Sequence, residues 1–255
     1  MSETADEIKS CCATAYSSDA ARFLLGDGFH PGGAALSRRL IGELGVGPGT
    51  TVIDVASGPG TSALQLARET GCDVIGVDLS PTGVAAAEAA AADAGLVGRV
   101  HFVVGDAEAL PLAGASVDAA LCECALCTFP DKPAAARELA RVLRPGARLA
   151  LSDVTADHER LPEELRKLPA WVACIGGARP LEEVASVLAA AGFVIEQTER
   201  HEGALAELLE QVEVRLQATR LLLGDGLEQA FSLLALARDA VEHGALGYAS
   251  VVARR

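Results

Sequence analysis

Apolar residues recur along the chain in two alternating patterns, short runs typical of buried strands and longer stretches with helical spacing. Short runs at 50–55, 72–78, 100–106, 117–121 and 148–153 predict five strands. Helical spacing predicts intervening helices at 61–68, 81–94 and 132–143, and Pro145-Gly146 predicts a turn before the fifth strand. Such alternation builds a mainly parallel sheet with helices on both faces. The middle of the chain is therefore predicted to be an α/β fold.

Both ends of the chain add helices to this core. Helical spacing at 5–25 and 34–44 predicts an N-terminal lid over the mouth of the sheet or a cover for one edge. After a sixth predicted strand at 191–198, amphipathic helices at 204–223 and 227–241 are separated by a Gly-Asp-Gly break and precede a closing strand at 246–253. These helices are expected to cap a pocket or to pair subunits, so a monomer and a homodimer both remain open.

These elements divide the chain into four predicted parts. They are a lid (1–44), a ligand-binding core (45–203), a helical insertion (204–242) and the closing strand of the core (243–255).

Composition narrows the class of protein. No apolar run approaches the ~18 residues of a membrane span, and the acidic N-terminus is unlike a basic secretory signal, so we expect a cytoplasmic protein. The net charge of −14 and the scattered basic residues argue against a nucleic-acid partner. The seven cysteines are then expected to be thiols with structural, metal-binding or reactive roles.

A glycine turn follows the first predicted strand. Gly58 and Gly60 let the backbone pass close to a ligand, and the helix after them offers free N–H groups and its positive dipole end. Gly58-x-Gly60-x-x-Ala63 also satisfies the dinucleotide fingerprint, with Asp78 about 20 residues on and placed for a ribose hydroxyl. The turn therefore predicts a nucleotide-type ligand without identifying it.

Acidic residues stand at or near the ends of successive predicted strands. In an open α/β sheet, ligands bind beyond the carboxyl ends of the strands. The chain places there Asp54, Asp78, Asp106, Glu123 and Asp153. Five acidic residues at successive strand ends predict a single lined site.

Four motifs, in order, resemble class I S-adenosylmethionine-dependent methyltransferases over about residues 45–200. The first is 54–60, with Ala56 where the family usually has glycine, and the second is the acidic residue Asp78. The third is 105–111 and the fourth is 141–146, the turn before the fifth strand. A nicotinamide enzyme would account for the first two motifs but not for the last two.

This resemblance implies a Rossmann-like, doubly wound, seven-stranded and mainly parallel sheet that binds S-adenosylmethionine. Asp78 is expected to hold the ribose hydroxyls and Asp106 to face the adenine amino group. Ala56 crowds the turn and Pro59 lacks an N–H, so both are expected to affect cofactor affinity. The implied cofactor-binding residues are Asp54, Ala56, Gly58, Gly60, Asp78, Leu79, Asp106, Ala107 and Glu123.

The cysteines after the fourth predicted strand bear on the methyl acceptor. The segment 122–132 resembles the corresponding loop of arsenite methyltransferases, whose metalloid-binding cysteine falls on Cys124, and their second such cysteine falls on Cys174. Their third lies in a Gly-Cys-Gly sequence that corresponds here to 26–28, where Asp27 replaces the thiol. The third ligand stays open between Cys127, Cys122, Cys12, solvent and an external thiol.

Trivalent arsenic fits this set of residues because it prefers soft thiolates to oxygen ligands. Held trigonally, it keeps a lone pair that can attack a sulfonium methyl without a general base, and orientation alone can contribute roughly 7 to 11 kcal/mol. The favoured function is methyl transfer to arsenite, with Cys124 and Cys174 as ligands, Cys127 as the candidate third, and a small thiol as a possible reductant.

Other interpretations of the same residues stay open. Cys122, Cys124 and Cys127 could be ordinary buried side chains, or they could form a four-thiolate zinc site together with Cys174. The protein could instead methylate a natural product or quinone, with Glu123 orienting or deprotonating a hydroxyl acceptor. A non-catalytic metalloid-binding protein on the same scaffold is the alternative from a different class.

Overall fold

The computed structural model describes residues 4–26, 30–167, 169–170, 173–223 and 227–255, and within these ranges seven strands form one sheet. The strands are β1 (Thr51–Val55), β2 (Asp73–Asp78), β3 (Val100–Val104), β4 (Val117–Glu123), β5 (Leu143–Ala156), β6 (Val194–Arg200) and β7 (Leu246–Arg254). Their spatial order is β3-β2-β1-β4-β5-β7-β6. Only β7 runs antiparallel to its neighbours, β5 and β6. The predicted fold class is confirmed.

Helices cover both faces of this sheet. The N-terminal segment forms α1 (Ala5–Tyr16), α2 (Asp19–Leu25) and α3 (Gly33–Leu44), and the connections of the sheet form α4 (Thr61–Thr70), α5 (Pro81–Asp93), α6 (Lys132–Val142) and α7 (Leu181–Ala190). Between β6 and β7 lie α8 (Ala204–Leu223) and α9 (Glu228–Glu242), at the positions predicted for the insertion. No helix in the described ranges is long and apolar enough to cross a membrane.

Alternate residues of the central strands enter two separate apolar cores. Val52 and Leu121 face one core and Ile53 and Cys122 face the other, and all four are fully buried. This follows from the two-residue period of a strand covered on both faces. A residue's place in the strand therefore decides which side of the sheet its side chain can reach.

Three details differ from the sequence-based prediction. The single helix predicted at 5–25 is two helices, because the Ser17 hydroxyl bonds the Ala13 carbonyl at the end of α1 and Ser18 accepts from the Ala21 N–H at the start of α2. Helix α7 was not predicted. Strand β5 begins five residues earlier than expected, although its pairing with β4 is irregular around Gly146, which has φ +82°.

The insertion contacts the N-terminal helices. Helix α8 packs against α2, where the Arg215 guanidinium donates to the Leu24 carbonyl at 2.8 Å, and α8 and α9 are joined by an ion pair between Glu213 and Arg238. The predicted break at 224–226 lies outside the described residues. The division into lid, core, insertion and closing strand remains a prediction, as does the oligomeric state.

Replacing Gly60 by alanine should destabilise the fold more than a matched change at Gly95. Both have a left-handed backbone, with φ +82° and +70°, but a Cβ at Gly60 would lie 2.6 Å from Phe102 Cζ, whereas a Cβ at Gly95 would meet nothing within 4 Å. Gly95→Ala should cost about 1 to 2 kcal/mol from backbone conformation alone. Gly60→Ala should add roughly 1 to 3 kcal/mol from overpacking. Urea unfolding of the two variants measures the difference, and equal losses would contradict the steric argument.

Candidate active site

A single cavity opens at the carboxyl ends of β1, β2 and β4. It is continuous with solvent. The turn after β1 forms its floor, the segments after β2, β3 and β4 form its walls, and α1 lies across it with Lys9, Cys12, Ala13 and Tyr16. The expected position beyond the strand ends is therefore where the cavity lies.

The glycine turn presents backbone rather than side chains to this cavity. Ala56, Gly58 and Gly60 have φ +58°, +50° and +82°, so three of five consecutive residues adopt the left-handed region. A Cβ at Gly58 would meet no atom within 4 Å, which leaves its backbone open to a ligand. Gly60 does not line the cavity; it starts α4 close to Phe102.

Two carboxylates hold this turn and face the cavity. Asp78 accepts from the Gly58 and Ser80 N–H groups, each at 2.8 Å, and so connects β2 to the turn after β1. Asp54 is buried, and burial, followed by the charges of Glu123 and Asp78, raises its pKa well above the usual value. Asp54 Oδ2 and Ser57 Oγ are buried without a hydrogen-bond partner among the described residues.

These observations fit a polar, nucleoside-containing ligand. Asp54 and Ser57 leave hydrogen-bonding capacity at the cavity floor, and Leu79 and Ala107 give it apolar walls. Asp106, expected at an adenine, lines the same wall; its Oδ2 binds the Lys9 ammonium of α1 at 2.7 Å, and its Oδ1 accepts from the Glu108 N–H. Of the residues assigned to the cofactor from the sequence, the structure gathers all except Gly60 around the cavity.

Glu123, at the end of β4, is held by groups that the sequence did not indicate. Its carboxylate accepts from the Ser37 hydroxyl of α3 at 3.0 Å and from the Ser62 hydroxyl of α4 at 2.6 Å. His30 Nε2 lies 3.8 Å from Glu123 Oε1 and 3.1 Å from Ser37 Oγ. His30 is buried and lines the cavity.

Three cysteines meet at the end of the cavity next to Glu123. The Sγ atoms of Cys124, Cys127 and Cys174 lie within 4.8 Å of one another. Cys124 lines the cavity, while Cys127 and Cys174 are buried behind it. Cys124 and Cys174 have φ +51° and +63°, a strained conformation for residues other than glycine. We call these three residues the thiol cluster.

Hydrogen bonding and burial shift the pKa values of two thiols of the cluster in opposite directions. Hydrogen bonds from Cys124 and Cys127, and then from Tyr16, lower the pKa of Cys174 well below the usual thiol value. Burial, followed by hydrogen bonding to the other two sulfurs, raises the pKa of Cys127.

Polar groups behind the cluster fix the loop that follows β4. Asp153 accepts from the Cys127 N–H at 2.7 Å, and burial raises its pKa to about 7. The Lys132 ammonium donates to the carbonyls of Cys127 and Phe129. Asp153 thus lies inside β5 and supports the cysteine loop, instead of lining the cavity as its predicted strand-end position suggested.

The other candidate thiols lie outside the thiol cluster. Cys122 faces the core on the opposite side of the sheet, so the four-thiolate zinc site proposed from the spacing is wrong. Cys12 lines the cavity but is not in the thiol cluster, and Cys11 does not line the cavity. Asp27, which stands where related enzymes carry their third cysteine, lies outside the described residues, as does Trp171.

A protein-family model described as a methyltransferase domain matches residues 47–192, more than half of the chain. The chain belongs to the class I S-adenosylmethionine-dependent methyltransferases. The expectations of the family and of S-adenosylmethionine as its cofactor are thereby confirmed.

Two curated relatives of this methyltransferase differ in their named substrates. The arsenite methyltransferase of Halobacterium salinarum is 34% identical over 149 residues, covering 57% of this chain and 38% of that protein. The O-methyltransferase resE of Aspergillus sclerotiorum is 30% identical over 224 residues, covering 86% of this chain and 81% of that protein. This chain therefore spans less than half the length of the first relative and most of the second.

Solved structures confirm the fold of the methyltransferase. The [4+2]-cyclase SpnF superposes with a TM-score of 0.76 at 23% identity, covering 100% of this chain and 97% of that one. That protein is named a cyclase and not a methyltransferase, so the shared fold does not determine the reaction. The acceptor has to be argued from the residues of the site.

Replacing Asp54 by asparagine should stabilise the ligand-free methyltransferase at neutral pH. Burial disfavours the ionised form of an acidic group and so raises its pKa on folding. The contribution of such a group to the free energy of unfolding is therefore smallest at pH values above the raised pKa. As the pH rises above the pKa of an aspartate in the unfolded chain, which is about 4, the free energy of unfolding of wild type should fall relative to that of Asp54→Asn. Denaturant unfolding at pH 5 and pH 8 measures this difference. A variant less stable than wild type at pH 8 would contradict the electrostatic account.

Proposed function

We propose that this methyltransferase transfers the methyl group of S-adenosylmethionine to trivalent arsenic held by Cys124, Cys127 and Cys174. The observation that carries the proposal is the thiol cluster, whose three sulfurs lie within 4.8 Å of one another beside the cavity. Three thiolates are the donor set that selects a soft, trigonal acceptor over oxygen-liganded ions.

The backbone of the thiol cluster supports this proposal. Cys124 and Cys174 are two of the four non-glycine residues with positive φ in the described part of the chain. Such residues cost about 1 to 3 kcal/mol each and concentrate at functional sites. A purely structural cysteine gains nothing from this conformation, whereas here it turns two side chains from separate segments toward one point.

The position of Cys124 beside the residues proposed to hold the cofactor supports this acceptor. Glu123 and Cys124 are consecutive, and Glu123 is bonded to Ser62 in the first turn of α4, the helix that follows the glycine turn. The residues proposed to hold the cofactor are Asp54, Asp78, Leu79, Asp106 and Ala107, with the backbone at Ala56 and Gly58. Cys124 and the residues proposed to hold the cofactor thus line one continuous cavity, with Cys127 and Cys174 buried behind Cys124.

The proposed capture of arsenous acid needs no external base. Three As–S bonds form while three As–O bonds break, and each thiol proton leaves with a hydroxide as water. The bound arsenic then has three sulfur neighbours and an unshared electron pair. S-adenosylmethionine, when bound, would supply an electrophilic methyl group: the arsenic electron pair would form the As–C bond as the S–CH3 bond of the sulfonium breaks and S-adenosylhomocysteine leaves. The protein's contribution is to align the two and to exclude water, rather than to transfer a proton.

A hydroxyl acceptor is the second candidate, supported by Glu123, His30 and Ser37. These residues form a connected polar group inside the cavity, and a carboxylate beside a histidine can take a proton from a substrate hydroxyl. The named O-methyltransferase relative spans most of the chain. Glu123→Gln separates the candidates, because it should abolish methylation of a hydroxyl acceptor while leaving arsenite capture by the cysteines intact.

Each of the variants Cys124→Ser, Cys127→Ser and Cys174→Ser should lose arsenite methylation. A hard hydroxyl cannot replace a soft thiolate, so arsenite binding should be lost while affinity for S-adenosylmethionine stays close to that of wild type. Labelled methyl transfer and cofactor calorimetry measure the two effects. Cys72→Ser is the matched control, because Cys72 is also buried but lies immediately before β2 and is not part of the thiol cluster. Full activity in all three cluster variants would assign the cysteines a structural role.

Replacing Asp78 by alanine should weaken cofactor binding by about 1.5 to 3 kcal/mol, the usual effect of losing hydrogen bonds to a charged group. Calorimetry with S-adenosylmethionine measures the change. Asp73→Ala is the control, since this exposed aspartate lies at the start of the same strand, far from the cavity. Equal affinities for both variants would remove Asp78 from the cofactor site.

A further inference from the structure

Helix α1 carries a stripe of residues that spans the cavity. Lys9, Cys12, Ala13 and Tyr16 follow the spacing of one helical face, and all four line the cavity. Lys9 anchors one end of the stripe to Asp106 at 2.7 Å, on the wall assigned to the cofactor. At the other end Tyr16 reaches the thiol cluster.

Tyr16 makes a direct contact with one member of that cluster. Its hydroxyl oxygen lies 2.7 Å from Cys174 Sγ, although the two residues are 158 positions apart in the sequence. Desolvation, followed by the neighbouring thiols, raises the pKa of Tyr16, so the hydroxyl keeps its proton. The phenol can therefore donate to the Cys174 sulfur, and the short contact joins the two side chains whichever atom carries the shared proton.

The orientation of the Cys174 side chain depends on such a contact, because no regular helix or strand fixes the described residues immediately around it. It lies in an irregular stretch after the short turn at Glu163–Arg166, with φ +63°. Its sulfur also lies 3.6 Å from the Cys124 carbonyl oxygen, a long contact for a hydrogen bond. A cysteine side chain has three staggered positions about χ1, and only some of them point at the cluster.

We propose that Tyr16 is a positioning residue, whose hydroxyl holds Cys174 in the orientation that completes the three-sulfur site. This inference rests on the proposed function, which it extends from the cysteines to helix α1. Hydrogen-bonding partners of this kind orient metal ligands, and their loss typically lowers affinity by 10- to 100-fold. Tyr16 does not touch the acceptor itself in this account.

The chain offers a matched control in its second tyrosine, Tyr248. It is buried on β7, and its hydroxyl donates to Ser152 Oγ at 3.0 Å without lining the cavity. Tyr16→Phe and Tyr248→Phe each remove one hydroxyl that donates to a neighbouring side chain. Only the first removes a contact to the thiol cluster.

The test titrates both variants and the wild type with arsenite and, separately, with Cd²⁺, following sulfur-to-metal charge-transfer absorption. Tyr16→Phe should weaken binding of both probes about tenfold and lower the absorption per bound Cd²⁺ by about one third, as one thiolate of three is lost. Affinity for S-adenosylmethionine and the melting temperature should stay near the wild-type values. The KM for arsenite should rise more than kcat falls.

The outcomes distinguish this inference from the proposed function. Binding by Tyr16→Phe equal to wild type would overturn the role of Tyr16 and leave the thiol cluster as the arsenite site. Equal losses in both tyrosine variants, in step with melting temperature, would also overturn it, since they show a general effect on packing. If wild type binds Cd²⁺ but does not methylate arsenite, the proposed acceptor is wrong and the Cd²⁺ titration alone decides the role of Tyr16. Binding of neither probe by wild type would overturn both.

Discussion

The parallel pairing of β1 with β4 is the constraint on which the site depends. Asp54 lies beside Leu121 in this pair, so the glycine turn after β1 and the cysteine loop after β4 leave the sheet at the same edge. Sequence order reverses across these two strands, with β2 and β3 on one side and β5 on the other. The gap that this reversal opens is the cavity, which is lined by Cys124 and by the residues proposed to hold the cofactor.

The same edge concentrates groups that are costly to bury. Burial, followed by the charges of Glu123 and Asp78, raises the pKa of Asp54, and Asp153 supports the cysteine loop from behind. Hydroxyls from Ser37 and Ser62 compensate for the burial of Glu123. The fold thus keeps an electrostatically unfavourable region at its centre, which is typical of sites whose ligands supply the missing interactions.

Much of the fold and of the cofactor site could be predicted from local sequence. Strand runs, the glycine turn and Asp78 are encoded in short segments, because backbone conformation and strand register depend on neighbouring residues. The third thiol could not be chosen between Cys127, Cys122 and Cys12. Within β4, Cys122 faces one core; the strand ends at Glu123, and Cys124, with φ +51°, turns toward the other side of the sheet. The short turn at Leu126–Thr128 then brings Cys127 back toward Cys124. That turn depends on Asp153 and Lys132, which are remote in sequence or unremarkable as residue types.

Contacts made by the N-terminal helices were also beyond local reasoning. Lys9 meets Asp106, and Tyr16 meets Cys174, across 97 and 158 residues of chain. Such pairs depend on how α1 docks over the cavity, and helical spacing shows only which residues share a face. Adjacent residues on a helix point about 100° apart, and of Cys11 and Cys12 only Cys12 lines the cavity.

The central claim is that three protein sulfurs hold the methyl acceptor, and arsenic X-ray absorption of the arsenite-loaded protein tests it most directly. The account predicts a first shell of three sulfur neighbours and no oxygen. An arsenic shell made of oxygen, or arsenic that does not remain with the protein, would contradict it.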